Sequence, residues 1–109
     1  TEVEAVQRWM NLPQSERPTA ICCWNDTMAY NFLHAANALG LRAPEDFALT
    51  GFDGFPDIHP QAVQQVCTAS CDWYEAGKTA ISLLHKLIEG GNVPAETILP
   101  TTLISGDTA

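Results

Sequence analysis

Thr19–Asp53, TAICCWNDTMAYNFLHAANALGLRAPEDFALTGFD, carries the fold class of this chain. It opens and closes on apolar, strand-like segments, TAICCW and FALTGF, and each runs into a polar cluster, Asn25-Asp26 and Asp53-Gly54. Between them Ala29, Phe32, Leu33, Ala36 and Leu39 recur at three- and four-residue spacing, which predicts a helix with one buried face. Asn25 and Asp26 stand where an N-cap belongs, and Gly40 where the helix should stop. A helical crossover of this length joins parallel strands. Ligands of open parallel sheets bind beyond the carboxyl ends of the strands, so Asn25 and Asp53 are expected as neighbours on a binding edge.

Upstream, Val3, Val6 and Met10 form a short apolar stripe with Trp9 beside it, predicting a first helix from Thr1 to Leu12 that Pro13 closes. The segment NLPQSERPT is a loop by composition. The first strand is expected over Ala20–Trp24. In FALTGF, Phe47, Leu49 and Gly51 alternate with Ala48, Thr50 and Phe52, a nearly continuous apolar run that suits a parallel strand covered on both sides.

Downstream, FPDIHPQ reads as a loop whose His59 is a surface or hinge residue. A third short strand is expected within Ala62–Ala69. Asp72 then reads as an N-cap with Glu75 in capping-box relation, and Trp73, Ala76, Ala80, Ile81, Leu84, Leu87 and Ile88 follow helical spacing up to Gly90-Gly91. Ile98, Leu99, Leu103 and Ile104 give a last extended segment, interrupted by Pro100, as on an edge strand.

The 109 residues fit one small domain, and 46% hydrophobic content supports a real core. Net charge is −8 with five scattered basic residues, so this segment carries no footprint for phosphates and no direct nucleic-acid binding is expected. No apolar run is long enough to span a bilayer, so no membrane partner is expected. Cys22 and Cys23 alternate to opposite faces of a strand and Cys67 and Cys71 lack metal spacing, so the four cysteines are expected as reduced, mostly buried thiols without metal or cofactor. The abrupt start on Thr1 reads as a piece of something longer.

No serine-histidine-acid set, Gly-rich phosphate loop or HExxH motif is present, and the Asp26, Asp53 and Asp57 carboxylates serve a binding cleft as readily as an acid-base pair. The chain is therefore expected not to be an enzyme. Two readings stay open for Asp53, a turn cap or a ligand contact. For Trp24 they are a core plug, the commoner fate of the residue, or a flat surface on which a sugar or base ring stacks.

From Pro18 to Gly54 the order of strand, Asn-Asp, helix, Gly-Leu, Pro-x-Asp, strand and Gly-Phe-Asp closely resembles the effector-binding core of LacI/GalR-type bacterial transcription regulators. The resemblance continues through VCTASCDWYEAGKTAISLLHKLIEGG, similar to the family's Leu-Thr-Thr strand and following helix, and through ILPTTLISGDT. It implies an α/β fold, part of a periplasmic-binding-protein-like (flavodoxin-like) lobe with a mostly parallel sheet flanked by helices. Residues 1–109 would be mainly the C-terminal lobe, with helix 72–90 returning toward an N-terminal lobe. A helix left without that lobe should self-associate through its apolar face or swap between chains.

The implied function is binding of a small effector, a sugar or nucleoside-like metabolite, in a cytoplasmic homodimer that meets operator DNA only through an N-terminal head outside this chain. By the same resemblance Asp53 matches the aspartate that bonds effector hydroxyls or ring nitrogens, and Asn25 a polar contact at the strand end. Asp26 is expected to act as a helix cap, and Met28, Tyr30 and Asn31 to face a second chain; Trp24 stands where many members have a small residue, so its stacking on the ligand is expected from its place at the strand end and not from the resemblance. Cys67-Thr68-Ala69 departs from the usual Leu-Thr-Thr run, and Cys71 stands where glutamine is common, which leaves the effector open. A periplasmic sugar-binding protein and a glycoside-processing enzyme are the alternatives.

Overall fold

The computed structural model describes residues 1–54 and 64–109. The expected loop with Asp57 and His59, and the start of the third strand candidate, lie outside the described residues. By their internal contacts the described residues divide into two units, Thr1–Ser70 with Leu103–Ala109, and Cys71–Thr102.

In the first unit, α1 (Glu2–Asn11) begins in a capping box between Thr1 and Glu4. After a short 3₁₀ turn (Gln14–Glu16) come β1 (Ala20–Cys22), α2 (Asp26–Ala38), β2 (Ala48–Asp53) and β3 (Cys67–Cys71), which reaches the unit boundary. β1 pairs parallel with β2 from Ala20↔Ala48 to Cys22↔Thr50, and β2 with β3 from Thr50↔Cys67 to Asp53↔Ser70. Strand order is β1-β2-β3-β4, with β4 at Thr101–Ile104. The mostly parallel sheet with flanking helices is the architecture expected from the sequence. β1 is shorter than expected, although the Cys23 amide still donates to Thr50 O at 2.8 Å.

The core differs in detail from the periodicity. In α1 it is Val6 and Trp9 that are buried, while Val3 and Met10 stay exposed. Trp9 turns inward because its indole N–H donates to Pro18 O at 2.9 Å and its ring meets Phe47 edge-on, with centroids 5.6 Å apart. Arg17 covers the other side, 5.1 Å from the Trp9 ring, and donates to Leu12 O and Met10 O, satisfying the open carbonyls at the end of α1.

In α2, Ala29, Phe32, Leu33, Ala35 and Ala36 are buried, but Leu39 is exposed at the helix end. β2 is not covered on both sides: Phe47 and Leu49 are buried, whereas Phe52 is exposed. Tyr30 is half-buried on α2. Its hydroxyl donates to Gln65 Oε1 and accepts from Val66 N, tying α2 to the approach of β3.

The polar tail does more than the sequence reveals. Thr108 is fully buried, and its main chain and side chain bridge Leu49 of β2 and Cys67 of β3. Its O accepts from Leu49 N at 2.7 Å, its Oγ1 donates to Leu49 O at 2.7 Å and accepts from Cys67 N at 3.0 Å. Asp107 and Gln65 bond each other reciprocally beside it. Thr108→Val keeps the shape and strands Cys67 N–H and Leu49 O, so urea unfolding should show a loss of about 1–3 kcal/mol. A change below about 0.5 kcal/mol would mean that water replaces the hydroxyl.

In the second unit, α3 (Trp73–Ile88) is capped by Asp72, whose carboxylate accepts from Glu75 N at 2.9 Å. Its N-cap and stop match the sequence reading. None of its residues is buried, and Ile81, Leu84, Leu87 and Ile88 lie open along it.

Candidate functional site

Asn25 and Asp26 divide the work at the head of α2. Asn25 is the N-cap, its Oδ1 accepting from Met28 N at 2.8 Å. Among the described residues its Nδ2 has no protein partner, which leaves a donor at the strand end. Asp26 is the first helical residue and not the cap expected of it. It is only 2% exposed: Oδ2 accepts from Gly54 N at 2.8 Å and Oδ1 from the Thr68 hydroxyl at 2.5 Å. A buried carboxylate is tolerated where donors and a helix N-terminus face it, and this one has all three.

These bonds bring the Asn25-Asp26 and Asp53-Gly54 clusters together at the carboxyl ends of β1 and β2. Asp53 is half-buried at the last position of β2, with φ of 120°. It is the one non-glycine residue at positive φ among the described residues. Such a conformation costs on the order of 1–3 kcal/mol and persists only where the surroundings impose it. Gly54 follows at φ 68°, packed so closely on Ser70 that a Cβ there would overlap the serine side chain.

Gly51 completes the arrangement. A Cβ at this position would overlap Asp26 Oδ1, so the glycine is what lets the carboxylate lie against β2. Neither Gly51 nor Thr68 stands out in the sequence as a partner of Asp26. A glycine within a strand run is the signal of close approach that points to the first, and no local pattern points to the second.

Trp24 is 84% exposed, which sets aside the core-plug reading. It lines a groove of about 410 Å³ between β1, α1 and α2, with Ile21, Cys22, Met28 and Phe32 as apolar walls and Glu2 at the rim. The thiols are less buried than expected: Cys22 is exposed, and Cys23, Cys67 and Cys71 are intermediate. Burial pushes the Cys23 thiol up, and the adjacent Cys22 and Glu2 add to the effect. Among the described residues no cluster of three or more His, Cys, Asp or Glu side chains is arranged for a metal ion, and no helix is long and apolar enough to cross a membrane.

The strand-end geometry, with α2 starting between two parallel strands, invites comparison with known ligand-binding lobes. A model of the periplasmic binding protein-like domain matches residues 1–109. The chain belongs to this family. Its relatives place it with the LacI-type members, as the sequence resemblance implied. It is 36% identical over 90 residues to the HTH-type transcriptional repressor CytR of Escherichia coli K12, covering 83% of this chain and 26% of the repressor. It is 32% identical over 91 residues to the arabinose metabolism transcriptional repressor of Geobacillus stearothermophilus, covering 84% and 25%.

Among solved structures, a LacI family regulator from Bifidobacterium animalis subsp. lactis superimposes with a TM-score of 0.82 at 31% identity, covering 98% of this chain and 38% of that one. The lac repressor dimer bound to operator and the anti-inducer ONPF gives 0.78 at 27%, covering 99% and 38%. The chain thus spans about a quarter of the length of the sequence relatives.

Proposed function

We propose that this periplasmic binding protein-like chain is part of the effector-binding module of a LacI-type transcription regulator. The observation that carries the reading is the Asp26–Gly54 bond, which sets Asn25 and Asp53 on one edge beyond parallel strands, where ligands of such sheets bind. Asp53 accepts hydrogen bonds from hydroxyls or ring nitrogens of a sugar or nucleoside-like metabolite, Asn25 donates from Nδ2, and the exposed Trp24 offers a ring face for stacking.

The regulator works as a cytoplasmic homodimer. DNA is met by a head outside this acidic segment, and helix α3 belongs to a crossover toward a second lobe. Effector between the lobes then shifts the balance of two arrangements of the DNA-binding heads. The sequence relatives named above are repressors, which favours regulation over sugar uptake or glycoside processing.

Calorimetric titration of the intact regulator with pentoses, hexoses, nucleosides and bases tests this. At least one should bind, and Asp53→Ala should weaken it by roughly ten- to a hundredfold, the value of hydrogen bonds to a charged acceptor. Asp53→Asn, which accepts positive φ more readily, separates the lost charge from lost backbone geometry. Unchanged affinity in both variants would remove Asp53 from the site.

A further inference from the structure

We propose that Asp26 is a positioning residue for Asp53, holding the candidate ligand-binding aspartate in its unusual backbone conformation. The inference rests on the reading of Asp53 as a ligand contact, but its geometry stands apart from that reading. Asp53 has φ of 120°, far from the left-handed region near +50 to +70° in which an aspartate settles when it takes a positive φ. The next peptide N–H, on Gly54, is fixed by Asp26 Oδ2 at 2.8 Å, so the peptide that follows Asp53 cannot rotate freely.

Asp26 is in turn unable to swing away. Its other oxygen is gripped by the Thr68 hydroxyl on β3, it is 2% exposed, and its backbone forms the first turn of α2. The carboxylate therefore joins three elements: the helix head, the exit of β2 and the middle of β3. On the far side, Gly54 lies against Ser70, and the absence of a Cβ at Gly51 leaves the carboxylate its place. Two oxygens of one group meet one donor just beyond β2 and one on β3, and the strained residue is the last of β2, directly before the Gly54 donor. An aspartate at this position thus does for the site what a cap alone would not: it sets the direction in which the chain leaves β2.

Nuclear magnetic resonance on the 109-residue chain tests this without any ligand. The readouts are the three-bond HN–Hα coupling of Asp53, which reports its φ, and the hydrogen-exchange rate and proton shift of the Gly54 amide. The variants are Asp26→Ala, Asp26→Asn and Thr68→Val, each compared with wild type at a temperature where the Leu49 and Val6 methyl resonances keep their native positions. In Asp26→Ala the Gly54 amide should exchange about tenfold faster or more, and the Asp53 coupling should move toward that of an extended residue.

Asp26→Asn keeps one carbonyl for Gly54 and lets the Thr68 hydroxyl turn to accept, so it should fall between wild type and alanine. Thr68→Val removes only the grip on Oδ1 and should show the same change in smaller degree. If Asp26→Ala does not fold, the asparagine and valine variants decide. Unaltered Asp53 coupling and Gly54 exchange in the folded variants would overturn the positioning role. Because no ligand enters this measurement, that failure is distinct from the failure of the binding reading, which shows as unchanged affinity on changing Asp53.

Discussion

Phe47→Ala is expected to cost about 3–5 kcal/mol, a large part of what a domain of this size has. Phe47 is 2% exposed and stands where three elements meet. Its ring contacts Trp9 of α1 at 5.6 Å and 64°, and Phe32 of α2 at 5.6 Å and 88°, both edge-on, while its backbone leads directly into β2. Truncation removes both aromatic pairs and leaves a cavity between two helices and the sheet, which rigid backbone cannot collapse to fill. Urea unfolding followed by tryptophan fluorescence and by near-ultraviolet circular dichroism should show the midpoint falling with little change in slope. A loss below about 1 kcal/mol would show that this three-element junction is not the centre of the core.

Gly51→Ala should destabilise through a different route, by about 3 kcal/mol or more. The added methyl overlaps Asp26 Oδ1, with Asp26 Cα at 3.1 Å and the fully buried Ala29 Cβ at 3.3 Å closing the other directions. Asp26 must then release the Thr68 hydroxyl, the Gly54 amide or both, and hydrogen bonds to a buried charge are each worth about 1.5–3 kcal/mol. Combining Gly51→Ala with Asp26→Ala should cost clearly less than the sum of the two single changes, because both act on one group. Full additivity in thermal or urea unfolding would show that the glycine and the carboxylate act separately.

Local pattern made the strand-helix-strand unit legible because its signals are short-range. The spacing of Ala29, Phe32, Leu33 and Ala36, the cap at Asn25 and the stop at Gly40 are each read within a few residues. The same holds for Asp72 and the helix it opens. The pairing of Asn25-Asp26 with Asp53-Gly54 was also within reach, since parallel topology brings those strand ends together.

What pattern did not carry lies in contacts between distant positions. Thr108 reads as tail, yet it bonds Leu49 and Cys67, 59 and 41 residues away. Asp26 reads as a cap because aspartate before a helix usually is one, and its true partners sit 28 and 42 residues on. Average burial makes a tryptophan a core residue and says nothing about one that ends a strand beside a groove. In α1 the Trp9 indole had a carbonyl waiting at Pro18, and that bond, not periodicity, turned the helix.

The site separates into two neighbouring surfaces with different chemistry. In the proposed binding module the strand-end edge would present Asn25 as donor and Asp53 as acceptor to a hydroxylated ligand. The groove along β1 is apolar and carries Trp24 and Met28. Under the proposed function the strand-end edge, not the groove, is the wall that meets the effector. Amide chemical-shift mapping on the isotope-labelled intact regulator tests it most directly, titrating in whichever sugar or nucleoside binds calorimetrically. The largest shifts are expected at Asn25, Asp53 and Gly54; shifts confined to Ile21, Met28 and Phe32, with the strand-end amides unmoved, would place the effector in the groove instead.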